Sequence, residues 1–305
     1  MKSSLKVGRS SQSRTIGCLS DIHNGSKLAI CSEEPEIGSG DYYKPNTVNK
    51  IFNEHWTDVR DWFGKINILS INGEPFNGAN IKQNGDENWS SDMNDQLEDA
   101  TKLLKVFRTK LYILTEGSGY HVRRDNTNYE NMLAKRLNAL AYNAYNLEEK
   151  FKIKRGQREV VDGANSRVDS FCFFRLNGRN VNFAHHVGYS RRYYYRTTAL
   201  TAEMAGLEFD RGYYLDADQN IDILGRGHVH YNVCVWYPST IGFTTPCWKM
   251  PDRYLFRNGL SGSRPNIGAV KLTIEQNGQI HYDKFLLKKK FPKPYAPDLT
   301  EVSKW

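Results

Sequence analysis

The chain has 305 residues and a formal net charge of +8, with 39% hydrophobic and 25% charged residues. This length and composition suit one large domain or two smaller ones and exclude a disordered chain. No stretch approaches the roughly 18 apolar residues of a membrane span, and residues 1–14 lack the apolar core of a signal peptide. We therefore expect a soluble cytoplasmic protein with no membrane partner.

The excess positive charge lies at the two ends of the chain. The first twenty residues contain four basic residues and no acid, and residues 284–305 contain six lysines and two acids. Basic ends can attract nucleic acid, although solvated tails are commoner. We divide the chain into a basic arm at 1–14, one folded domain at 15–287 and a basic, Pro- and Lys-rich tail at 288–305.

The five cysteines favour neither a disulfide framework nor a zinc ribbon. Their number is odd, and no pair has the C-x-x-C spacing. Most of them have apolar neighbours, so we expect buried free thiols.

Hydrophobic periodicity predicts strands that alternate with helices in the first half of the chain. In chain order these elements are a strand at 15–20, a helix at 47–63, a strand at 66–71, a helix at 96–107, a strand at 111–115 and a long helix at 129–147.

The second half of the chain is predicted to be rich in strands. Its elements are a hairpin of strands at 170–176 and 180–185, a short helix at 198–205, a strand at 221–224, and then only strands, at 231–237, 270–275 and 279–287. A βαβα half followed by a β-rich half predicts an α/β fold in which two mixed β-sheets pack together with helices outside.

Six of the eight histidines fall at the ends of predicted strands. A lone histidine is more often an ordinary core or surface residue than a ligand. Open α/β sheets, however, place their binding sites at the ends of strands, so six histidines there indicate a shared site. They are His23, His121, His185, His186, His228 and His230.

Five short motifs carry these histidines together with acidic and small residues. They are S-D-I-H with Asp21 and His23, N-G-E with Glu74, G-S-G-Y-H with Ser118 and His121, F-A-H-H with His185 and His186, and G-H-V-H with His228 and His230. Residues two apart on an extended chain point the same way, so each D-x-H or H-x-H pair can reach one ion. Oxygen and imidazole ligands without thiolates suit manganese, iron, zinc or nickel. Such a set is sufficient for two ions about 3.5–4 Å apart.

The order of these motifs resembles that of the calcineurin-like metallophosphoesterase superfamily. The strongest matches are S-D-I-H at 20–23 and G-H-V-H at 227–230, and the five motifs run from residue 17 to residue 230. The third motif, with its G-[ST]-x-x-H form, resembles the phage-encoded branch of that superfamily. The resemblance implies the αββα sandwich of that fold and a metal-dependent phosphatase, phosphodiesterase or nuclease, in the host cytoplasm if the chain is phage-encoded.

The resemblance also implies a role for each matching residue. Two divalent transition-metal ions, with manganese the expected metal, would be bound by Asp21, His23 and His230 at the first site, by His185 and His228 at the second, and by Glu74 as the bridge. His121 matches the catalytic histidine that contacts the substrate or protonates the leaving oxygen. We choose His185 over His186 as the ligand because it ends the apolar strand.

Two residues depart from the pattern of the superfamily. Glu74 stands where that pattern usually has an Asp, with one methylene more. Ser118 stands where the pattern has an Asn ligand. Ser118 could ligate weakly, water could take the place, or His121 could move in.

Basic and tyrosine-rich segments adjoin the motifs. Arg123 follows His121, and Y-S-R-R-Y-Y-Y-R at 189–196 follows the fourth motif. Guanidinium groups bind phosphate and tyrosines stack on bases, whereas the alternative is an ordinary surface loop. The predicted substrate-binding residues are Asn24, Arg123, His186, Arg191 and Arg192. The expected partner is a phosphate ester, with a nucleic acid or nucleotide favoured.

Two functions of different classes follow from these observations. The first is a metal-dependent phosphoesterase with a dinuclear site. The second is a binding or scaffold module that keeps the fold and is weak or inactive as a catalyst. The missing Asn and the Asp-to-Glu change favour the second, and the retention of Asp21 with four ligand histidines favours the first.

Overall fold

The structure is a computed structural model. It describes residues 12–38, 40–81, 84–140, 168–213, 220–257 and 264–288. Most of the predicted basic arm and nearly all of the predicted tail lie outside these residues, as does the end of the predicted helix at 129–147.

Fourteen strands and six helices make up the described part of the chain. The strands are β1 (Arg14–Leu19), β2 (Glu36–Ile37), β3 (Asp41–Tyr42), β4 (Lys65–Asn72), β5 (Arg108–Thr115), β6 (Arg123–Arg124), β7 (Thr127–Asn128), β8 (Phe171–Leu176), β9 (Arg179–Ala184), β10 (Ile223–Arg226), β11 (Cys234–Trp236), β12 (Ile241–Thr244), β13 (Gly268–Ile274) and β14 (Ile280–Leu286). The helices are α1 (Thr47–Phe63), α2 (Met93–Lys105), α3 (Gly119–Val122), α4 (Tyr129–Leu137), α5 (Thr198–Tyr213) and α6 (Arg253–Arg257).

Two five-stranded sheets form the centre of the fold, in the orders β14-β13-β1-β4-β5 and β11-β12-β10-β9-β8. Strands β1, β4 and β5 are parallel, and β13 and β14 extend that sheet with antiparallel pairs. In the second sheet β9, β10 and β12 are parallel, and β8 and β11 are antiparallel edges. Both sheets are therefore mixed, and the predicted α/β class is confirmed.

Three apolar clusters show how the layers stack. One joins the sheets face to face, with Ile16 and Ile68 of the first sheet in the same cluster as Phe183 and Phe243 of the second. A second cluster packs α1, α2 and α4 against the outer face of the first sheet. A third packs α5 against Leu224 of β10 on the other side. The order helix, sheet, sheet, helix is the predicted sandwich.

Helix α1 has the predicted bounds because its end signals are local. Asn46 caps it by accepting hydrogen bonds from two backbone N–H groups of the first turn, and Gly64 ends it in the left-handed region at φ 59°. Phe52, Trp56 and Val59 form its buried face. Helix α2 begins earlier than the predicted residue 96, because Asp92 accepts from the N–H of Asn94 and caps the helix there.

Several predicted elements of the second half were wrong. Helix α5 continues to Tyr213, past the predicted end at 205, and helix α6 lies in a region predicted to hold only strands. Strand β12 was missed because Gly242 weakens its strand pattern. A Cβ at Gly242 would lie 2.3 Å from Sδ of Met204, so the glycine is needed for α5 to pack there.

The cysteine prediction is confirmed. All five are free thiols; four are buried and Cys234 is partly buried. None of the helices in the described ranges is both long and apolar enough to cross a membrane.

Candidate metal centre

The predicted ligands lie in loops that follow the carboxyl ends of parallel strands. Asp21 and Glu74 follow β1 and β4 of the first sheet, whereas His185 and His228 follow β9 and β10 of the second. Backbone hydrogen bonds tie these loops together: the Asp21 N–H donates to Gly73 O over 3.1 Å. The Gly227 N–H likewise donates to His185 O over 2.8 Å. The two sheets thus meet at one site, as α/β architecture favours.

Two buried carboxylates lie among the imidazoles of both sheets. Glu74 has Oε2 at 3.0 Å from His23 Nε2 and Oε1 at 3.2 Å from His185 Nε2. Asp21 Oδ1 lies 3.3 Å from His230 Nε2 and 3.9 Å from His185 Nε2. Each carboxylate therefore faces histidines on two sides, which is the arrangement that a bridging ligand requires.

These side chains form two groups that could each hold a metal ion. In each group the candidate ligand atoms lie within 4.8 Å of one another. The groups are Asp21, His23, Glu74 and His230, and His185, His186 and His228. His186 was predicted to bind substrate, and the structure places its ring 4.9 Å from that of His228.

The backbone of the ligand residues is unusual. Five of them adopt left-handed conformations: Asp21 (φ 50°), His23 (φ 50°), Glu74 (φ 53°), His228 (φ 70°) and His230 (φ 56°). Every other non-glycine residue with positive φ in the described ranges is Asn or Asp, which tolerate it. A histidine or glutamate there costs about 1–3 kcal/mol, and such strain collects at functional sites.

This geometry corrects the sequence argument for the D-x-H and H-x-H pairs. We expected both members of a pair to point the same way from an extended chain. In the structure β1 ends at Leu19, and both Asp21 and His23 lie beyond it in the left-handed region. Turns, rather than strand alternation, bring each pair together.

Glycines allow the loops to approach each other closely. Gly73 has φ 80°, and a Cβ there would lie 2.4 Å from Nδ1 of His185. A Cβ at Gly117, in the third motif, would lie 2.5 Å from the backbone nitrogen of Glu74. The small residues predicted to permit close backbone approach do so at this motif.

The hydrogen bonds of two imidazoles fix which ring nitrogen is available. His185 Nδ1 lies 2.8 Å from Asn72 O and His121 Nδ1 lies 2.6 Å from Asn77 O. A carbonyl oxygen only accepts, so Nδ1 carries the proton in both rings. His185 Nε2 therefore faces the carboxylates of Glu74 and Asp21, at 3.2 and 3.9 Å, and is the ring atom available to bind a metal ion.

The charges of the cluster stabilise each other. Burial raises the pKa of Asp21, but the His185 and His230 imidazoles outweigh burial and hold it at about 2. Burial likewise opposes ionisation of Glu74, and His185 and His23 lower its pKa well below the usual value. Burial lowers the pKa of His185, and the two carboxylates raise it to about 9. Burial lowers the pKa of His230 as well, but Cys247 and Asp21 raise it well above its usual value. Near pH 7 the metal-free site thus pairs two carboxylates with two protonated imidazoles, those of His185 and His230.

Three other imidazoles are neutral near pH 7. Burial, assisted by the charge of Lys249, lowers the pKa of His23 to about 3. Burial is also the main reason that the pKa values of His121 and His228 lie below their usual value. Neutral imidazoles are the form that binds metal.

Ser118 contacts Glu74 and lies at the start of α3. Its hydroxyl donates to Glu74 Oε1, and its N–H donates to the same oxygen over 3.3 Å. The buried carboxyl of Glu130 accepts from the Gly117 N–H at 3.0 Å, and burial raises the pKa of Glu130 to about 8. Sequence reasoning missed Glu130, since nothing in its helical context marks it as supporting a loop.

The remaining predicted substrate residues have different environments. Asn24 is fully buried, and its amide donates to Asp99 Oδ2 over 2.7 Å, which anchors the first ligand loop to α2. Arg123 is exposed and pairs with Glu116. Arg191 and Arg192 are exposed just before a 3₁₀ turn at Tyr193–Tyr195. None of these four residues lines the cavity of the site.

A cavity of about 350 Å³ opens over the two metal groups. Predicted residues that line it are His23, Glu74, Ser118, His121, His228 and His230. Residues that sequence reasoning missed are Asn80, Tyr120, Lys249, Asp252 and Leu255. Lys249, Asp252 and Leu255 lie outside all five motifs. Their only local signal in the sequence was the K-x-x-D spacing of Lys249 and Asp252.

No family model and no curated protein sequence matches the chain. Among solved structures it is similar to an archaeal phosphodiesterase at 10% identity and a TM-score of 0.40, over 90% of this chain and 99% of that one. It is also similar to Vps29 from Cryptosporidium parvum at 10% identity and a TM-score of 0.39, over 91% and 99% of the two chains. Vps29 from Entamoeba histolytica complexed with Zn²⁺ matches at 9% identity and a TM-score of 0.38, over 89% and 98%.

Proposed function

We propose that this protein is a metal-dependent phosphoesterase of the calcineurin-like superfamily with a dinuclear site. The observation that carries the proposal is the position of Asp21 and Glu74. Each lies between imidazoles of the first group and His185 of the second, at 3.0–3.9 Å from them. Two carboxylates shared between two histidine groups fit a pair of divalent ions better than a single one.

The residues present fit transition-metal ions. Asp21, His23 and His230 would hold the first ion and His185 and His228 the second, with Glu74 between them; His186 is close enough to add to the second. Imidazole and carboxylate donors suit manganese, iron, zinc or nickel, and we propose manganese. When bound, such ions polarise a phosphoryl oxygen and lower the pKa of a water.

His121 is proposed to contact the substrate. It lines the cavity, and its ring lies 4.9 Å from that of His23. Because Nδ1 donates to Asn77 O, Nε2 is the ring atom left for a ligand. Burial keeps this imidazole neutral near pH 7, and a bound phosphate anion would raise its pKa. Nε2 could then hold the proton that the leaving oxygen needs.

A nucleic acid or nucleotide is the substrate class that we propose. Tyr193, Tyr194 and Tyr195 are 57%, 70% and 50% exposed beside two exposed arginines. Arg196 stacks between Tyr193 and Tyr231, at 3.9 and 4.4 Å from the ring centres. This stacking ties the loop to the residue that follows the ligand His230. Exposed tyrosines and arginines can hold the bases and phosphates of a strand.

The likeness of the third motif extends the proposal to the phage-encoded branch, with the host cytoplasm as the location. The alternative is a binding or scaffold module that keeps the fold, and Ser118 and Glu74, which depart from the usual motif residues, favour it.

Hydrolysis of bis-(p-nitrophenyl) phosphate with added manganese or nickel tests the function. We expect turnover that a chelator abolishes and that Asp21→Asn removes, since this change deletes the charge of one shared carboxylate. His281→Ala, a change on β14 outside the site, should retain full turnover. A chain that binds metal but gives no more hydrolysis than Asp21→Asn on mono- and diesters would favour the scaffold alternative.

A further inference from the structure

The cavity is lined by residues other than the metal ligands and His121, and these come from three separate segments. Asn80 lies in the loop after β4, Tyr120 in α3, and Lys249, Asp252 and Leu255 in and before α6. This second set of lining residues has both polar and apolar groups, and none of them belongs to the two metal groups.

Lys249 is the unusual residue of this second set of lining residues. It is only 6% exposed, yet it lines the cavity. Its Nζ donates to Asn77 Oδ1 over 3.0 Å and to Asp252 Oδ2 over 2.9 Å. An ammonium group has three N–H donors, and within the described residues only two of these have acceptors. The third donor therefore remains for a molecule in the cavity.

The two acceptors hold the ammonium in place. Asn77 is 1% exposed and Asp252 is 8% exposed, so neither moves freely. Burial opposes ionisation of Asp252, but the Lys249 charge outweighs burial and lowers its pKa. Asp252 is thus an ionised partner that positions Lys249 and partly neutralises its charge.

Lys249 and His121 are held by the same residue. Lys249 Nζ donates to Asn77 Oδ1 over 3.0 Å, and His121 Nδ1 donates to Asn77 O over 2.6 Å. A cation fixed beside the proposed substrate histidine would attract an anion bound there.

We propose that Lys249 binds a phosphoryl oxygen, so that this second set of lining residues forms an anion subsite for the phosphate group of the ester. Naming the ester as the ligand rests on the proposed function; the subsite itself is built from residues that hold no metal. Asp252 is a positioning residue, and its carboxylate limits the affinity of the subsite for anions.

Calorimetric titration of inorganic phosphate into the manganese-loaded full chain tests this subsite. Lys249→Met should weaken phosphate binding about tenfold or more, because a charge-assisted hydrogen bond is removed. Asp252→Asn should tighten phosphate binding severalfold, because the neutralising charge is removed while an acceptor oxygen remains. Lys271→Met is the matched control: Lys271 is a lysine whose Nζ donates to Trp62 O, and it lies outside the cavity. The Lys271→Met variant should bind phosphate with the same affinity as the parent chain.

Weaker phosphate binding by Lys249→Met together with tighter phosphate binding by Asp252→Asn would support the subsite. If both variants bind phosphate within twofold of the parent, or both bind it more weakly at unchanged metal content, the lysine is a structural ion pair and the inference is wrong. Should Lys249→Met fail to fold, Asp252→Asn decides alone, since a structural role predicts no tightening. Phosphate binding that depends on Lys249 in a chain without esterase activity would overturn the proposed function and leave the subsite standing.

Discussion

The left-handed backbone angles of the candidate ligand residues oppose the usual conformational preference of their residue types. Glycine or asparagine would adopt these angles at lower cost, but neither offers an imidazole or a carboxylate. The strain at Glu74 and at the histidines of this set must therefore be offset by the contacts that their side chains make. A metal ion shared between them is the strongest such contact that this donor set allows.

His121→Ala tests the role of a single side chain. We expect turnover to fall by roughly 10²–10⁴-fold, the usual contribution of a positioned acid or base, with metal content unchanged. Elemental analysis and ester turnover on the same preparation measure the two quantities. Loss of metal together with activity would instead make His121 the ligand in place of the absent Asn, and unchanged turnover would remove it from the site.

The pKa of His185 predicts a pH dependence of metal binding. The Glu74 and Asp21 carboxylates raise this pKa to about 9 in the metal-free chain, so the ring is protonated at pH 7 and must lose its proton to ligate. Metal affinity should rise by up to tenfold per pH unit for this proton below about 9, and more steeply where His230, whose pKa is also raised, loses its proton as well. Titration in buffers of different ionisation enthalpy should show proton release. An affinity that is flat between pH 7 and 9 would contradict this assignment.

The same pKa has the opposite effect on the stability of the metal-free chain. Because the folded-state pKa of His185 is raised from 6.5, its stabilising contribution is fully present below pH 6.5 and is lost as the pH rises through about 9. Urea unfolding with a chelator should therefore show stability falling over this window. In the His185→Asn variant the stability should fall less over the same pH window.

At the scale of elements, the loops that follow the strands depend on close backbone approach. Gly73→Ala would place a Cβ 2.4 Å from His185 Nδ1 and add strain at φ 80°. We expect a loss of stability of about 1–3 kcal/mol and weaker binding at the second metal site. Gly178→Ala is a matched control, since Gly178 has φ 77° with nothing within 4 Å of the added Cβ. Equal metal affinity in the two variants would show that the contact of the new Cβ with His185 has no effect on metal binding.

The tyrosine- and arginine-rich loop is a second element with its own test. Changing both Arg191 and Arg192 to Ala should weaken binding to single-stranded DNA or RNA. The slope of log K against log salt should flatten by about 0.7 for each phosphate group that an arginine no longer binds. Hydrolysis of a small chromogenic ester should stay the same, because that ester reaches only the metal centre. Lys102→Ala with Lys105→Ala on α2 removes two exposed charges elsewhere and serves as the control.

If the arginine variant binds the strand as tightly as the parent and with the same slope, the loop is an ordinary surface loop. A small phosphomonoester or a nucleotide would then be the better substrate proposal.

At the scale of the whole molecule, the candidate metal centre joins loops from both sheets. Asp21 and Glu74 follow strands of the first sheet, and His185 and His228 follow strands of the second. The sheets also pack on each other through apolar side chains such as Ile16 and Phe183. Metal binding should therefore stabilise the whole domain rather than one loop.

The layered fold followed from sequence because its signals are local. The capped amphipathic pattern of α1 and the β-branched runs of β1 and β4 are legible without knowledge of their neighbours. The end of α5 at Tyr213 was not predicted, because Gly206 lowers the helix propensity in the middle of this helix. Strand β12 was missed because Gly242 weakens its strand pattern.

The clustering of the candidate ligands could be predicted from the sequence because each of them lies next to the end of an apolar strand. Its backbone geometry could not, since positive φ at His228 and His230 has no signature in residue type. Lys249 and Glu130 were missed because their roles depend on burial beside distant segments. A lysine and a glutamate far from any motif are ordinarily solvated surface residues.

Metal stoichiometry tests the central claim most directly. Elemental analysis of the full chain, purified with manganese and freed of loosely bound ions, should give between one and two ions per chain. His228→Ala should lower the occupancy of the second site and retain the first, while His230→Ala should do the reverse. A parent chain that takes up no metal at micromolar free concentration would contradict the dinuclear site and, with it, the proposed phosphoesterase.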